Sequence, residues 1–178
     1  MSIKKKRNKV PVSRAYGFQL IKLKLAMANR DPVPQDQHER LIIRPMATLA
    51  RLKLYDIDEQ DFVELNEANC AAFCLAGILY NSTKDEEARR QLGGLQPIFH
   101  EAALALHSLG DRYNVTKVYR AKGDELAALE ASFGALDQII PLATKGLVLQ
   151  ALVQAEDMVT QKLRELERQN TKQNEVVK

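Results

Sequence analysis

The feature that most constrains this fold is the spacing of apolar residues, which recur three or four positions apart through almost the whole sequence. That spacing puts apolar side chains on one face of an α-helix, whereas a half-buried strand alternates every two residues. No segment shows the alternating pattern between hairpin turns. A chain of 178 residues corresponds to about one domain. The sequence therefore predicts an all-α protein, a single-domain bundle of about six helices.

The predicted organisation has three parts: a basic N-terminal arm over 1–13, a helical domain over 14–168 and a frayed polar tail over 169–178. Pro45 is expected to kink or restart one helix, and Gly93, Gly94 and Pro97 are expected to separate a short helix from a longer one. The stretches with helical spacing are 14–28, 35–54, 58–80, 84–92, 95–109, 116–140 and 145–168.

Helix starts are predicted from capping residues. Asp58 is a good N-cap, and Asp61 stands at the third helical position after it. Thr83 with Glu86 forms a second capping pattern, and Thr144 precedes the last helix. The helix over 58–80 carries a nearly continuous apolar surface, so it is predicted to be central, with Phe73 near the middle of the core.

The last predicted helix carries a seam of apolar residues for nearly three heptads. Such a seam packs against another helix, either within the chain or on a second copy, which would make a homodimer through the C-terminal helix. The seam residues are Val148, Leu152, Ala155, Val159, Leu163 and Leu166.

Charge is distributed unevenly along the chain. The first thirty residues carry nine Lys or Arg and no Asp or Glu, whereas the remaining 148 carry seventeen basic and twenty-three acidic residues. A +9 segment is thus joined to a −6 body. Such a block contacts an anionic partner, nucleic-acid phosphates above all, or stays solvated as a tail. The candidate nucleic-acid-binding residues are Lys4, Lys5, Lys6, Arg7, Lys9, Arg14, Lys22 and Lys24.

Catalytic and metal-binding patterns are missing from the sequence. There is no phosphate-binding glycine motif, no nucleophile elbow and no HExxH. Cys70 and Cys74 lack further ligands at metal-site spacing, and His100 and His107 are interpreted as structural or surface residues. We therefore expect no cofactor, no metal and no enzymatic activity. An acidic cluster is interpreted as a surface at a helix N-terminus: Asp56, Asp58, Glu59, Asp61, Glu64 and Glu67.

No apolar run reaches the roughly 18 to 20 residues that a membrane-spanning helix needs. The stretch 17–28 is interrupted by Gln19, Lys22 and Lys24, which a signal-peptide core would not contain. We expect a cytoplasmic protein with no membrane partner.

The chain opens with a short basic motif, Lys5-Lys6-Arg7-Asn8-Lys9, which is followed by Pro11 and a predicted amphipathic helix. The chain resembles small helical proteins of proteobacterial phages and prophages. Those also have a mid-chain segment like 61–77, with an acidic start and an apolar helix containing Asn, followed by helices rich in Ala and Leu. The chain departs from them at Val10, where a tyrosine is expected. The resemblance implies an accessory protein of a mobile element in a bacterial cell, and it implies no functional residues.

Two functions follow as hypotheses. In the first, the chain is an inhibitor or adaptor that binds a host or phage protein through its helical body, with a helix face in a groove as the natural mode. In the second, it is a nucleic-acid-binding accessory or regulatory protein whose basic arm contacts phosphates.

Overall fold

The structure is a computed structural model that describes the backbone of residues 31–176 and the side chains of residues 31–161. The predicted arm over 1–13 and the predicted helix over 14–28 lie outside the described residues. So do all the candidate nucleic-acid-binding residues, Lys4, Lys5, Lys6, Arg7, Lys9, Arg14, Lys22 and Lys24.

Between residues 31 and 176 the chain forms five helices, which confirms the predicted all-α class. Helix α1 spans 35–52 as three consecutive segments, and the others are single helices. Within the described range the only β pairing is an isolated bridge between Pro32 and Thr144. The bounds are Gln35–His38, Glu39–Ile43 and Arg44–Leu52 for α1, Glu59–Ser82 for α2, Glu86–Thr116 for α3, Gly123–Ile139 for α4 and Lys145–Val176 for α5, with a 3-10 turn at Ile140–Leu142 before α5.

Helix α2 is the centre of the bundle, as predicted. It packs most extensively against α3 and α5 and also contacts α1 and α4. Its start is the predicted one: the Asp58 carboxylate accepts a hydrogen bond from the Asp61 N–H at 2.9 Å, and Asp61 accepts one from the Asp58 N–H at 3.2 Å. Two residues on its core face, Leu65 and Ala72, are fully buried. Phe73 is only half-buried, so the prediction that it lies in the middle of the core is wrong.

Helix α2 is also long and apolar enough, by length and mean hydropathy, to cross a membrane. Half of that apolar window is buried inside the bundle. Burial against several neighbouring helices accounts for such a composition in a central helix.

The interruption expected at Pro45 is present. A π-helical turn, Glu39–Ile43, precedes a fresh α segment in which Pro45 occupies the first turn. Proline has no N–H to donate to the preceding turn, and its ring fits the start of a helix. The i→i+5 hydrogen bonds of the π-helical turn just before Pro45 keep α1 continuous.

The predicted break between 84–92 and 95–109 is wrong, because α3 runs without interruption from Glu86 to Thr116. Pro97 is exposed, so water can solvate the carbonyl of Gly93, which loses its N–H partner. Gly93 lies against the Tyr80 ring of α2, where an added Cβ would be 3.5 Å from the ring. Packing on α2 thus holds a helix that propensity alone would break.

Three helix ends also differ from the predictions. The N-cap of α3 is Asp85, whose carboxylate accepts from the Ala88 N–H at 2.8 Å, while Thr83 ends α2. Helix α4 starts at Gly123 and not near Thr116, because Thr116 is the last residue of α3. Helix α5 continues beyond 168 to Val176, into the segment predicted as a polar tail. No Gly or Pro follows 146, and loss of the apolar pattern alone does not end a helix.

A partly buried ion pair joins α3 to α4. Arg112 donates to both carboxylate oxygens of Glu125, to the Ser108 hydroxyl at 2.9 Å and to the Arg120 carbonyl at 2.9 Å. The side chains of Arg112 and Glu125 are 26% and 9% exposed. The Lys122 N–H also donates to Glu125 at 2.7 Å, so this carboxylate caps α4 as well.

A second buried polar contact links three helices. Asn69 of α2 donates to the carbonyl of Phe99 in α3 at 3.2 Å, and Ser132 of α4 donates to Asn69 at 2.7 Å. Asn69 and Ser132 are both buried. Each polar group is therefore partnered, which fixes the relative positions of α2, α3 and α4.

Candidate protein-binding groove

An open groove of about 640 Å³ lies between α2 and α5. Both helices supply an apolar base and a polar rim. Its residues on α2 are Phe73, Cys74, Gly77, Ile78, Asn81 and Ser82, and those on α5 are Leu147, Gln150, Gln154, Asp157, Met158 and Gln161.

The base of the groove is apolar and partly open to water. Phe73, Ile78 and Leu147 are half-buried, and Met158 is 45% exposed. The Met158 sulfur lies 3.5 Å from the sulfur of Cys74, which is buried beneath it. Met adapts its shape to irregular apolar surfaces, and it is used for that purpose at binding surfaces.

The rim of the groove is polar but carries little charge. Gln150, Gln154 and Gln161 follow α5 at spacings of four and seven residues, and Asp157 is the one acidic or basic side chain among the lining residues described. An apolar base with a polar rim is the usual anatomy of a protein-binding surface. Amide side chains there can hydrogen-bond to either donors or acceptors.

Neither cysteine near the groove is suited to nucleophilic chemistry. Both are free thiols, and burial followed by the neighbouring Cys70 raises the pKa of Cys74 to about 11. Burial and the charge of Glu67 likewise raise the pKa of the Cys70 thiol. Since the thiolate is the reactive form, these thiols stay protonated and unreactive near neutral pH. Cys74 contributes packing to the groove.

The acidic cluster is largely paired with the protein's own side chains. Arg51 forms an ion pair with Asp61, and Arg40 forms one with Glu67 at 3.0 Å. The Tyr113 hydroxyl donates to Glu59 at 2.7 Å. Among the described residues no group of three His, Cys, Asp or Glu side chains is arranged to hold a metal ion.

A second depression of about 390 Å³ lies between α1, α2 and α5. Its rim includes Arg40 and Glu67, which pair with one another, and Arg44, which is 3.7 Å from Glu39. These opposite charges neutralise each other, so the depression offers no net charge to a ligand. It is therefore a weaker candidate than the groove between α2 and α5.

The seam predicted on the last helix is buried only in its first half. Val148 and Ala155 are buried, Leu152 is half-buried, and Val159 is 38% exposed. The part of the seam at Leu163 and Leu166 lies outside the described side chains. Helix α5 thus packs within the chain through its first three turns, while Met158 and Val159 present apolar surface to solvent.

The sequence did not predict the groove. Apolar spacing showed that α2 is apolar on nearly every side, but it did not show which part of that surface the other helices leave open. One signal was present: Gln150, Gln154, Asp157 and Gln161 share a face of the last helix beside the apolar seam. Such a polar edge marks where a seam borders water.

Comparison of the chain with protein-family models, curated proteins and solved structures finds no match.

Proposed function

We propose that this chain is a non-enzymatic binding protein that receives an amphipathic helix of a partner protein in the groove between α2 and α5. The observation that carries the proposal is the open apolar base made by Phe73, Ile78 and Met158 beneath a rim of glutamine side chains. A partner helix inserts apolar residues spaced at i, i+3 or i+4 and i+7 into such a groove. The partner is a host or phage protein, and the chain acts as an inhibitor or adaptor of a mobile element in the bacterial cytoplasm.

The groove chemistry suits binding better than catalysis. Phe73 and Met158 offer large contact areas, and aromatic and Met side chains are enriched where proteins bind one another. Cys74 is held as the neutral thiol by its raised pKa of about 11. The groove therefore provides shape and apolar area, with amides for orientation.

A charge placed at the base of the groove tests this proposal. Met158 is exposed enough for Met158→Glu to leave the fold intact, yet a carboxylate there must be desolvated when a partner helix docks. Leu104→Glu is the matched control, because Leu104 is 55% exposed on α3 and does not line the groove. Both variants exchange an exposed apolar side chain for the same charge.

The measurement has two steps. Tagged wild-type protein first captures stoichiometric partners from a proteobacterial host lysate, and the purified partner is then titrated calorimetrically with each variant. We expect Met158→Glu to lose at least about tenfold in affinity, which corresponds to ~1.4 kcal/mol. Leu104→Glu should bind as the wild type does. Equal affinity of Met158→Glu and wild type would refute the groove as the binding site.

Nucleic-acid binding through the basic arm is a second candidate, favoured by one observation. Nine basic residues and no acidic ones fall within the first thirty positions, joined to a body of net charge −6. Each phosphate contact adds about 0.9 to the slope of log affinity against log salt for duplex DNA. Deleting residues 1–9 should therefore weaken DNA or RNA binding and flatten its salt dependence. An unchanged affinity and slope would remove this candidate.

A further inference from the structure

We infer that Cys70, Cys74 and Met158 form a binding site for one soft metal ion, Cu(I), beneath the base of the groove. This metal site does not depend on whether a partner helix binds in the groove above it. Three observations carry the inference: two thiols on one face of α2, a thioether of α5 that contacts one of them, and the chemistry of this set of ligands.

The two thiols share a face of α2. Cys70 and Cys74 are four residues apart on this helix, and Cβ atoms at that spacing are about 5–6 Å from one another. A disulfide needs Cβ atoms about 3.5–4.5 Å apart, so the helix keeps the two thiols from bonding to each other. Two sulfur atoms bound to the same metal ion lie about 4 Å apart, which the spacing on the helix allows.

The third sulfur atom comes from α5. The sulfur of Met158 lies 3.5 Å from the sulfur of Cys74. With metal–sulfur bonds of about 2.3 Å, three sulfur atoms in a trigonal plane around one ion are about 4 Å apart. The two sulfur atoms therefore need to separate by only about 0.5 Å to accept the ion. Met158 is 45% exposed and its side chain is flexible, so this movement leaves the core in place.

The set of ligands favours Cu(I). Thiolate and thioether sulfur are soft ligands, which select Cu(I) over harder ions. Structural zinc takes four ligands from Cys, His and carboxylate side chains, and no three of these are grouped among the described residues. Glu67, the carboxylate whose charge acts on Cys70, is already paired with Arg40 at 3.0 Å. Two thiols and a thioether, without a free carboxylate, suit a three-coordinate Cu(I) ion.

The position of the site gives the ion both access and protection. Met158 lines the open groove, where solvent reaches its side chain, while Cys74 beneath it is buried in the apolar core. Cu(I) can therefore enter through the groove and be held where water is largely excluded. Sequence spacing did not indicate this site, because the thioether ligand lies 84 positions beyond Cys74.

Binding exchanges protons for the metal ion. Burial raises the pKa of Cys74 to about 11 and also raises the pKa of Cys70, so both thiols carry protons near neutral pH. Each thiol releases its proton to solvent as its sulfur bonds to Cu(I), whereas the Met158 thioether binds with no proton to lose. The ion enters and stays as Cu(I), so no electron is transferred.

Anaerobic titration of the full reduced chain with Cu(I), in competition with the chelator bicinchoninate, tests the inference. Met158→Leu removes the thioether and keeps an apolar side chain. Met46→Leu is the matched control, because Met46 is 44% exposed on α1 and does not line the groove. Since loss of even an outer-shell partner costs about 10–100-fold in metal affinity, Met158→Leu should bind Cu(I) at least about tenfold more weakly than wild type. Met46→Leu should bind as wild type does, and equal affinity of Met158→Leu and wild type would overturn the inference.

X-ray absorption at the copper edge reports the ligands directly. We expect one Cu(I) per chain with three sulfur neighbours in the wild type and two in Met158→Leu. A wild-type site with only two sulfur neighbours would overturn the inference. So would one Cu(I) per two chains, which would assign the ion to cysteines of two molecules.

Cys74→Ala tests the buried thiol. This variant should lose binding in the presence of bicinchoninate, and circular dichroism shows whether it remains folded. Unchanged Cu(I) affinity in folded Cys74→Ala would place the ion elsewhere and overturn the inference. These measurements use no partner protein, so the metal site and the proposed function can fail independently.

Discussion

Replacing Arg112 by methionine is the sharpest test of how α3 and α4 are held together. Methionine retains much of the apolar stem of arginine but removes the guanidinium that bonds Glu125, the Ser108 hydroxyl and the Arg120 carbonyl. The variant leaves the Glu125 carboxylate, whose side chain is 9% exposed, without its cation. The cost of that buried charge is what the measurement detects.

The structure sets the expected magnitude. Removing one partner of a buried ion pair costs about 3–5 kcal/mol, because the remaining charge is desolvated without compensation. Arg112 is 26% exposed, and the Lys122 N–H still donates to Glu125, so the lower end of that range applies. We expect Arg112→Met to lower the free energy of unfolding by ~3 kcal/mol. Glu125→Gln keeps the shape but replaces one of the two accepting oxygens by an NH2 group that faces a donor, so it should cost about 2 kcal/mol.

Urea unfolding followed by circular dichroism at pH 7 measures both variants. The control is Arg90→Met, which removes an ion pair with Glu87 whose side chains are 79% and 61% exposed. Exposed pairs contribute little, so this change should stay within about 0.5 kcal/mol. A loss for Arg112→Met as small as that for Arg90→Met would show that the pair between α3 and α4 is effectively solvated, and would refute the reasoning.

The same pair predicts a pH dependence. Burial pushes the pKa of Glu125 up, but hydrogen bonds from Arg112, from the Lys122 backbone and from Ser108 outweigh it and hold the pKa below the ordinary 4.5. A carboxylate whose pKa is lowered on folding stabilises the protein above its unfolded pKa and loses that contribution as pH falls through the folded value. The stability difference between wild type and Glu125→Gln should therefore be constant near neutral pH and shrink below about pH 4. A difference that stays the same at about pH 3 would contradict the lowered pKa.

Three further changes test other parts of the fold. Asp58→Ala should cost ~1 kcal/mol by removing the cap that accepts from the Asp61 N–H, measured by thermal unfolding; an unchanged midpoint would contradict the capping role. Phe99→Ala should lower the free energy of unfolding by about 3–5 kcal/mol, because Phe99 is fully buried. Phe73→Ala should cost less than half of that, because Phe73 is half-buried in the groove. Equal losses in urea unfolding would place Phe73 in the core. Asn69→Ala should cost ~2 kcal/mol, because it removes the side-chain donor to the Phe99 carbonyl and leaves the buried Ser132 hydroxyl without its acceptor. Unfolding within about 0.5 kcal/mol of wild type would show that water replaces the amide.

The sequence predicted those parts of the fold that depend on local interactions. The α2 start is an example, because the Asp58 and Asp61 carboxylates bond N–H groups within the same turn. The burial of Leu65 and Ala72 also followed from spacing alone. Such features need no information about the neighbouring helices.

The errors arose where tertiary contacts or competing caps decide the outcome. Pro97 and Gly93 predict a break by propensity, but Tyr80 packs on that part of α3 and the helix continues. Thr83 and Asp85 are both acceptable N-caps, and the chain uses Asp85 because Thr83 already ends α2. Sequence alone does not rank two such local solutions.

The candidate site was missed for the same reason. Phe73 belongs to an apolar surface that surrounds most of α2, and spacing does not say how much of that surface α5 covers. The half-buried state of Phe73 is a property of the assembled bundle. A groove, unlike a cap or a periodic face, exists only between elements.

The contact between Cys74 and Met158 joins residues 84 positions apart. A ribosome adds about 5–20 residues per second, so α2 is synthesised about 4–17 seconds before the part of α5 that covers it. During that interval the apolar surface of α2 that α5 later contacts is open to chaperones and to other nascent chains.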